Sequence, residues 1–466
     1  MNFNDFALIP KADYKDACDA IREKTGETDS IVSGEMGGLI RSITTGGAEL
    51  TIVATTKSGA TVTATKGDLS VSAVAVDGVA TLKVPEGGTW VVVATLNGYS
   101  SEEMAVEVIT AFSTELELEL DEIYGAEWDG TSNPAWSRTD KAASFTDPVP
   151  YVAGATEYGS PFDNIMPWAG IEIVEDAEAG TLVKIPKFWF KWTRNGAATK
   201  LQISPKAVDG FFVSPAHADR GDGKGERDVV YVGRYCCGSA YKSVTGQTPK
   251  ANMTRATART NIAALGDTIW QFDYAMMTTI RMLYLVEFAH WDSQAKIGYG
   301  CGVGNTIKPV GSSDSMPYHT GTVQTSRTVY GMGCQYRYIE GLWDNIYYWC
   351  DGIVVSGNTV YGIPNPADFK DSVGGIELGT LPTAGVPSEW AEPSSEEVRG
   401  WLYPTATNGT DAAIYTCDRV DRYLSGPVVL MGASYGQGLH YGLFYHDIYV
   451  VNSVYDNSGC RLMKLP

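Results

Sequence analysis

The chain has 466 residues, a formal net charge of −20 and 44% apolar residues. That length allows roughly two to four domains with sizeable cores, and the apolar share excludes a disordered chain. The acidity argues against nucleic acid, whose phosphates demand a basic face, and against an anionic membrane surface. No apolar run reaches the ~20 residues that span a bilayer, so no membrane insertion is expected. The opening MNFNDFALIPKADYKD has neither a basic n-region nor an apolar h-region, so no signal peptide is expected. The eight cysteines include no C-x-x-C pair. They read as reduced, small apolar residues of a chain made in a cytoplasm.

Residues 1–46 form a first small unit. Ala17 and Ile21 repeat at helical spacing until Thr25-Gly26, and Ser33-Gly34-Glu35-Met36 starts a second short helix through Leu39, Ile40 and Ile43. The pattern IREKTGETDSIVSGEM…LIRSI resembles a short N-terminal module of phage and prophage tail proteins, which implies an attachment or assembly element. A helical hairpin capping the next domain is the equal alternative.

Residues 47–120 alternate at Leu50-Ile52, Val62-Ala64, Val71-Ala73, Leu82-Val84 and Trp90-Val92-Ala94, and end in an alternating Thr114–Leu120. Turn signals at Ser58-Gly59, Gly67-Asp68, Asp77-Gly78, Gly87-Gly88 and Asn97-Gly98 separate the runs. This spacing predicts a β-sandwich. VPEGGTWVVVATLNGYS resembles the Ig-like spacer modules of phage fibres, and the region carries no residues that suggest chemistry.

Residues 121–466 form the third unit, rich in Trp, Tyr and Gly. Lys184–Trp192 reads as one aromatic strand and Thr278–His290 as a helix with Ile280, Leu283, Tyr284 and Glu287 along one side. Between Ser434 and Ser458 there is no Lys, Arg or Glu, and thirteen of the 25 residues are Tyr, Ser, Asn or Gly. That is the palette of a binding surface, in which Tyr gives rigid contact area and the small polar residues adapt.

The elements Gly432-Ala433-Ser434-Tyr435, Gly442-Leu443-Phe444 and Gly459-Cys460-Arg461-Leu462 frame this stretch. Frame and interior together resemble the variable region of proteins diversified by diversity-generating retroelements, in which template adenines scatter codons. Tyr338–Gly352 loosely resembles the G-N-x-W-E-W core motif of the formylglycine-generating-enzyme type of C-type lectin fold, and Gly432-Ala433-Ser434-Tyr435 stands where that fold has G-G-S-W.

The resemblance implies a variable region at about 432–460 with ligand-binding positions Tyr435, Gln437, His440, Tyr441, Tyr445, His446, Asp447, Tyr449, Asn452, Ser453, Tyr455, Asp456 and Asn457 exposed. Gly432, Gly442, Leu443, Phe444, Gly459, Arg461 and Leu462 would be scaffold.

Other chemistries fit less well. The formylglycine-generating reaction needs a cysteine pair that Ser434–Gly459 lacks, and Cys236-Cys237 would point to opposite faces of a strand. His217-Ala218-Asp219 and His290-Trp291-Asp292 spell H-x-D but lack the wider iron-binding pattern of the lectin-fold relatives. Gly432–Gly436 spells G-x-S-x-G, yet no helix follows and no His follows Asp447. Gly300–Gly304 lacks the Lys of a P-loop. Asp219–Asp228, which contains Arg220-Gly221-Asp222, could hold calcium but has no EF-hand spacing. Calcium-lectin sugar motifs are absent.

The expected fold class is therefore α+β and multidomain: an N-terminal helical module, an Ig-like sandwich and a C-type-lectin-like domain. The expected function is a non-enzymatic receptor-binding protein of a phage or prophage tail, with no cofactor. The expected partners are a host cell-surface protein or glycan and other tail proteins, in a homotrimer, with localisation on the virion tail. A bacterial surface-displayed adhesin is the alternative.

Overall fold

The computed structural model describes residues 50–466 apart from 57, 97–98, 102, 109–113, 118–121, 301–305, 383, 392–400, 412, 423–426 and 450–453. The two expected N-terminal helices lie outside the described residues. The chain divides into two compact units, residues 1–121 and 122–466. Both are built mainly of antiparallel sheets, and three α-helices occur among the described residues. The class is thus mostly β with few helices, less helical than the expected α+β.

In the first unit, Leu50–Thr55 pairs with Val79–Val84 and, in parallel, with Thr114–Glu117. A second sheet runs Leu69–Val74, Thr61–Lys66, Gly88–Leu96 and Tyr99–Ser100, with Met104–Val108 also paired to Gly88–Leu96. Alternate residues of both sheets share one core, among them Ile52, Val62, Ala64, Leu82, Trp90, Val92 and Val106. The tight turn at Asp77-Gly78 works because both residues have positive φ, 51° and 85°. That is the two-residue conformation whose twist matches flanking strands.

In the second unit, Ser137–Asp140, Tyr124–Trp128, Ala198–Ser204, Trp189–Asn195 and Phe212–Val213 form one sheet. Another runs Glu172–Asp176, Gly180–Pro186, Val229–Gly233, Leu462–Lys464 and Ile269–Gln271, so the C-terminal strand lies inside a sheet. The single strand expected over Lys184–Trp192 is two strands in two sheets. Pro186 is the last paired residue of the first strand, and Lys187 N still donates to the Asp228 carbonyl at 2.8 Å before the chain crosses to the other sheet. The expected helix is longer at its start, Tyr274–Phe288. The Asp273 side chain accepts from Met276 N at 2.8 Å, and Ala289 ends the helix in a left-handed turn. Every residue of this helix is buried, so it is a core helix and not an amphipathic one.

Candidate ligand-binding cleft

The terminal segment supplies two strands of a five-stranded sheet. Its order is Val420–Arg422, His446–Tyr449, Val428–Met431, Tyr347–Cys350 and Ser458–Gly459. Register places Asp421 opposite Asp447, Asp447 opposite Leu430, and Leu430 opposite Trp349, in one row across one face. Neighbours along each strand point the other way. Val420, Ile448, Val429, Met431, Tyr348 and Cys350 therefore enter the main core of the unit.

The row carries an open cleft of about 190 Å³, lined by Tyr347, Asp421, Leu430, Gln437, Tyr441, Tyr445, Asp447, Tyr449, Tyr455, Asn457 and Ser458. Seven of the positions expected from sequence thus come together. The tyrosines pack on one another: Tyr441 and Tyr445 have ring centres 4.7 Å apart, Tyr347 and Tyr445 5.9 Å, and Tyr449 and Tyr455 4.8 Å. Asp421 accepts from the Tyr445 hydroxyl at 3.2 Å and pairs with Arg419 at 3.0 Å. Asp447 is 5% exposed, and its Oδ1 has no hydrogen-bond partner, nor has Ser458 Oγ. Burial and the adjacent Asp421 carboxylate push the Asp447 carboxyl up to about 7.

The expectation that all thirteen positions are exposed is corrected at three of them. Tyr445 is 1% exposed and holds the floor of the cleft. Asp447 is buried at its bottom. His446 points away from the cleft: Nδ1 donates to the Phe444 carbonyl at 2.8 Å, so Nε2 is the acceptor and accepts from Arg281 Nη1 at 3.3 Å, beside the Tyr274 hydroxyl, which donates to the Leu402 carbonyl at 2.7 Å. Burial and Arg281 hold His446 well below its ordinary pKa, so it is a neutral core residue. Tyr435, Gln437, His440, Tyr441, Tyr449, Tyr455 and Asn457 are half-buried, and Asp456 is exposed. Tyr435 and Asp456 lie outside the cleft lining, as does His440, whose Nδ1 donates to the Cys417 carbonyl at 3.0 Å. Asn452 and Ser453 lie outside the described residues.

The framing elements are held from below. Gly432 has φ 78°, and a side chain there would meet Tyr348 at 2.7 Å. At Gly442 a Cβ would come 2.6 Å from Ser293 Oγ and 2.8 Å from the Asp418 oxygens. Asp418 accepts from Gly442 N and Phe444 N at 2.7 and 2.8 Å. Buried Arg281 donates to the Leu443 carbonyl at 2.9 Å and lies over the Phe444 ring. Arg461 donates to the carbonyls of Gly233, Arg234, Glu340 and Gly341, anchoring the last frame element to two distant segments.

The other sequence candidates are occupied structurally. His217 is buried, with Nε2 donating to the Ile185 carbonyl at 3.0 Å and Nδ1 accepting from Ser214 at 2.5 Å. His290 Nδ1 accepts from Asp292 N. Ser434 is buried, and its Oγ accepts from the Asn457 amide and donates to the Tyr435 carbonyl. Arg220 is buried against Asp273, and Asp222 pairs with Arg227, so both charges of that tripeptide are paired within the fold. No group of three or more His, Cys, Asp or Glu able to hold a metal occurs among the described residues. Six cysteines are free and buried. No helix among the described residues is long and apolar enough to cross a membrane.

Sequence reasoning did not find Tyr347, Asp421, Leu430 and Ser458 as lining residues. Only Tyr347 carried a signal, as part of the aromatic string Tyr338–Gly352. The comparisons add no relative to this geometry: no protein-family model matches the chain, and no curated protein matches its sequence.

Proposed function

We propose that the chain is a receptor-binding protein of a phage or prophage tail, whose C-terminal lectin-like domain offers a diversified surface to a host ligand. The observation that carries this reading is the cleft. Its lining draws on the framed terminal segment, is rich in tyrosine and carries unpartnered polar atoms, as a site awaiting a ligand does. The first unit, with two sheets around one core among its described residues, fits an Ig-like spacer. The chain acts by binding and not by catalysis: Ser434, His217 and the buried cysteines are each engaged in local packing and hydrogen bonds. Assembly as a homotrimer on the virion tail would multiply a weak single-site affinity by avidity.

Sequencing the encoding locus tests the diversification. The expected result is a neighbouring reverse transcriptase gene and a template repeat matching the codons of residues 432–460, with mismatches only at template adenines. Finding neither would remove the diversified surface and leave a tail protein with a fixed partner. Immunogold labelling of purified virions tests the location, and label anywhere but the tail would overturn it.

A further inference from the structure

The cleft offers two acceptor-capable atoms and no partner for either. Asp447 Oδ1 and Ser458 Oγ both belong to lining residues, 5% and 1% exposed, and neither has a hydrogen-bond partner. An unpaired buried carboxylate oxygen costs free energy unless a donor arrives. The lining contains a second carboxylate, Asp421, and no Lys or Arg. Five tyrosine rings complete it, and ring faces attract cations. A basic side chain fits all of these: N–H donors for the two oxygens, positive charge for the carboxylates, and a flat or slender body for an aromatic slot.

We propose that the cleft binds a lysine or arginine side chain presented by a protein ligand, with Asp447 as the residue that pairs with its charge. The assignment rests on reading the terminal surface as the receptor-binding surface, and it names the chemistry that surface recognises. Arginine is the better fit of the two, because a guanidinium donates in several directions at once and stacks on tyrosine.

The surroundings give the pairing a pH dependence. Asp421 from the adjacent strand faces Asp447 but is itself held by Arg419 and the Tyr445 hydroxyl. Tyr347 comes from a third strand, Tyr441 and Tyr445 from the preceding loop, Tyr449 from the same strand and Tyr455 from the following turn. Burial and Asp421 raise the Asp447 carboxyl to about 7. The ionised form that pairs with a cation is therefore scarce at pH 6 and dominant at pH 8.

The test is calorimetric titration of the full chain with Nα-acetyl-arginine methylamide and Nα-acetyl-lysine methylamide at millimolar concentration, beside glucosamine and N-acetylglucosamine. The expected result is binding of the amino-acid amides about tenfold tighter at pH 8 than at pH 6, and about tenfold weaker in D447N. The wild-type pH dependence needs no variant and decides the matter if D447N does not fold. Glucosamine binding without the amino-acid amides would overturn the protein side chain in favour of an amino sugar. N-acetylglucosamine binding unchanged in D447N would overturn the charge pairing. No binding of any probe, while host-cell capture remains sensitive to Y441A and Y455A, would overturn this inference and leave the receptor-binding reading standing. Loss of nothing in cell capture by those variants would overturn both.

Discussion

His446 and Asp447 are neighbours in one strand, both are buried, and the two faces of their sheet use them in opposite ways. On the core face, each ring nitrogen of His446 meets a partner, and Arg281, Phe444 and Trp390 pack around it. On the cleft face, Asp447 keeps an oxygen without a partner beside a second carboxylate. A satisfied buried polar group specifies a fold, whereas an unsatisfied one lowers stability and waits for a ligand. The contrast teaches that burial alone does not separate scaffold from site in this segment. The face of the sheet on which the residue lies does.

The comparison can be broken first at Tyr445, which lines the cleft but is buried with the scaffold. Tyr445→Ala should cost about 3–5 kcal/mol of folding stability in urea titrations. A loss near zero would make Tyr445 a contact residue and dissolve the distinction.

Asp447 should show the reverse sign. Its folded-state pKa is raised, so its contribution to stability is present below the unfolded carboxyl value and is lost as pH rises through about 7. D447N should therefore be more stable than wild type at pH 8 by on the order of a few kcal/mol, with the gap closing near pH 4. An equal or larger gap at pH 4 would mean that Asp447 carries no such burden.

The buried histidines titrate the other way. His446 lies well below its ordinary pKa and His217 is pushed down to about 4 by burial, so their contribution is present above about 6.5 and lost as pH falls. His217→Gln should flatten the acid limb of the stability curve between pH 6.5 and 4, and an unchanged limb would contradict neutral burial.

Gly442→Ala sharpens the scaffold side. A Cβ there meets Ser293 and the Asp418 carboxylate, so a loss of about 1–3 kcal/mol is expected. The smallest effect on folding should come from Tyr455→Ala at the half-buried rim. It should cost roughly 1–2 kcal/mol in receptor binding and under about 0.5 kcal/mol in stability. Early melting of that variant would move Tyr455 into the scaffold.

Much of the local structure was legible. The alternation at Val62-Ala64 and Trp90-Val92-Ala94 and the turn at Asp77-Gly78 are visible in the chain because each depends on near neighbours. The helix was legible as a helix, but its first turn was not, because Asp273 looks like a loop acid until its side chain caps Met276 N. Lys184–Trp192 failed as one strand because the pattern cannot tell which sheet each half joins. In the terminal segment, composition marked the region but not its inward positions. His446 and Asp447 look alike in the chain, and register against Asp421 and Leu430 decides which face each takes.

The sequence by itself determined a multidomain chain, the alternating strands and turns of its first sandwich and the position of a tyrosine-rich, cation-free terminal segment, while its α+β reading overstated the helices. These follow from periodicity and composition, which are local. Only the tertiary structure decided that Tyr347 and Asp421 meet that segment, that His446 faces away, and that Asp447 Oδ1 is left without a partner. Those facts depend on pairings between strands far apart in the chain, and on burial that removes water as a partner, neither of which a residue's neighbours encode.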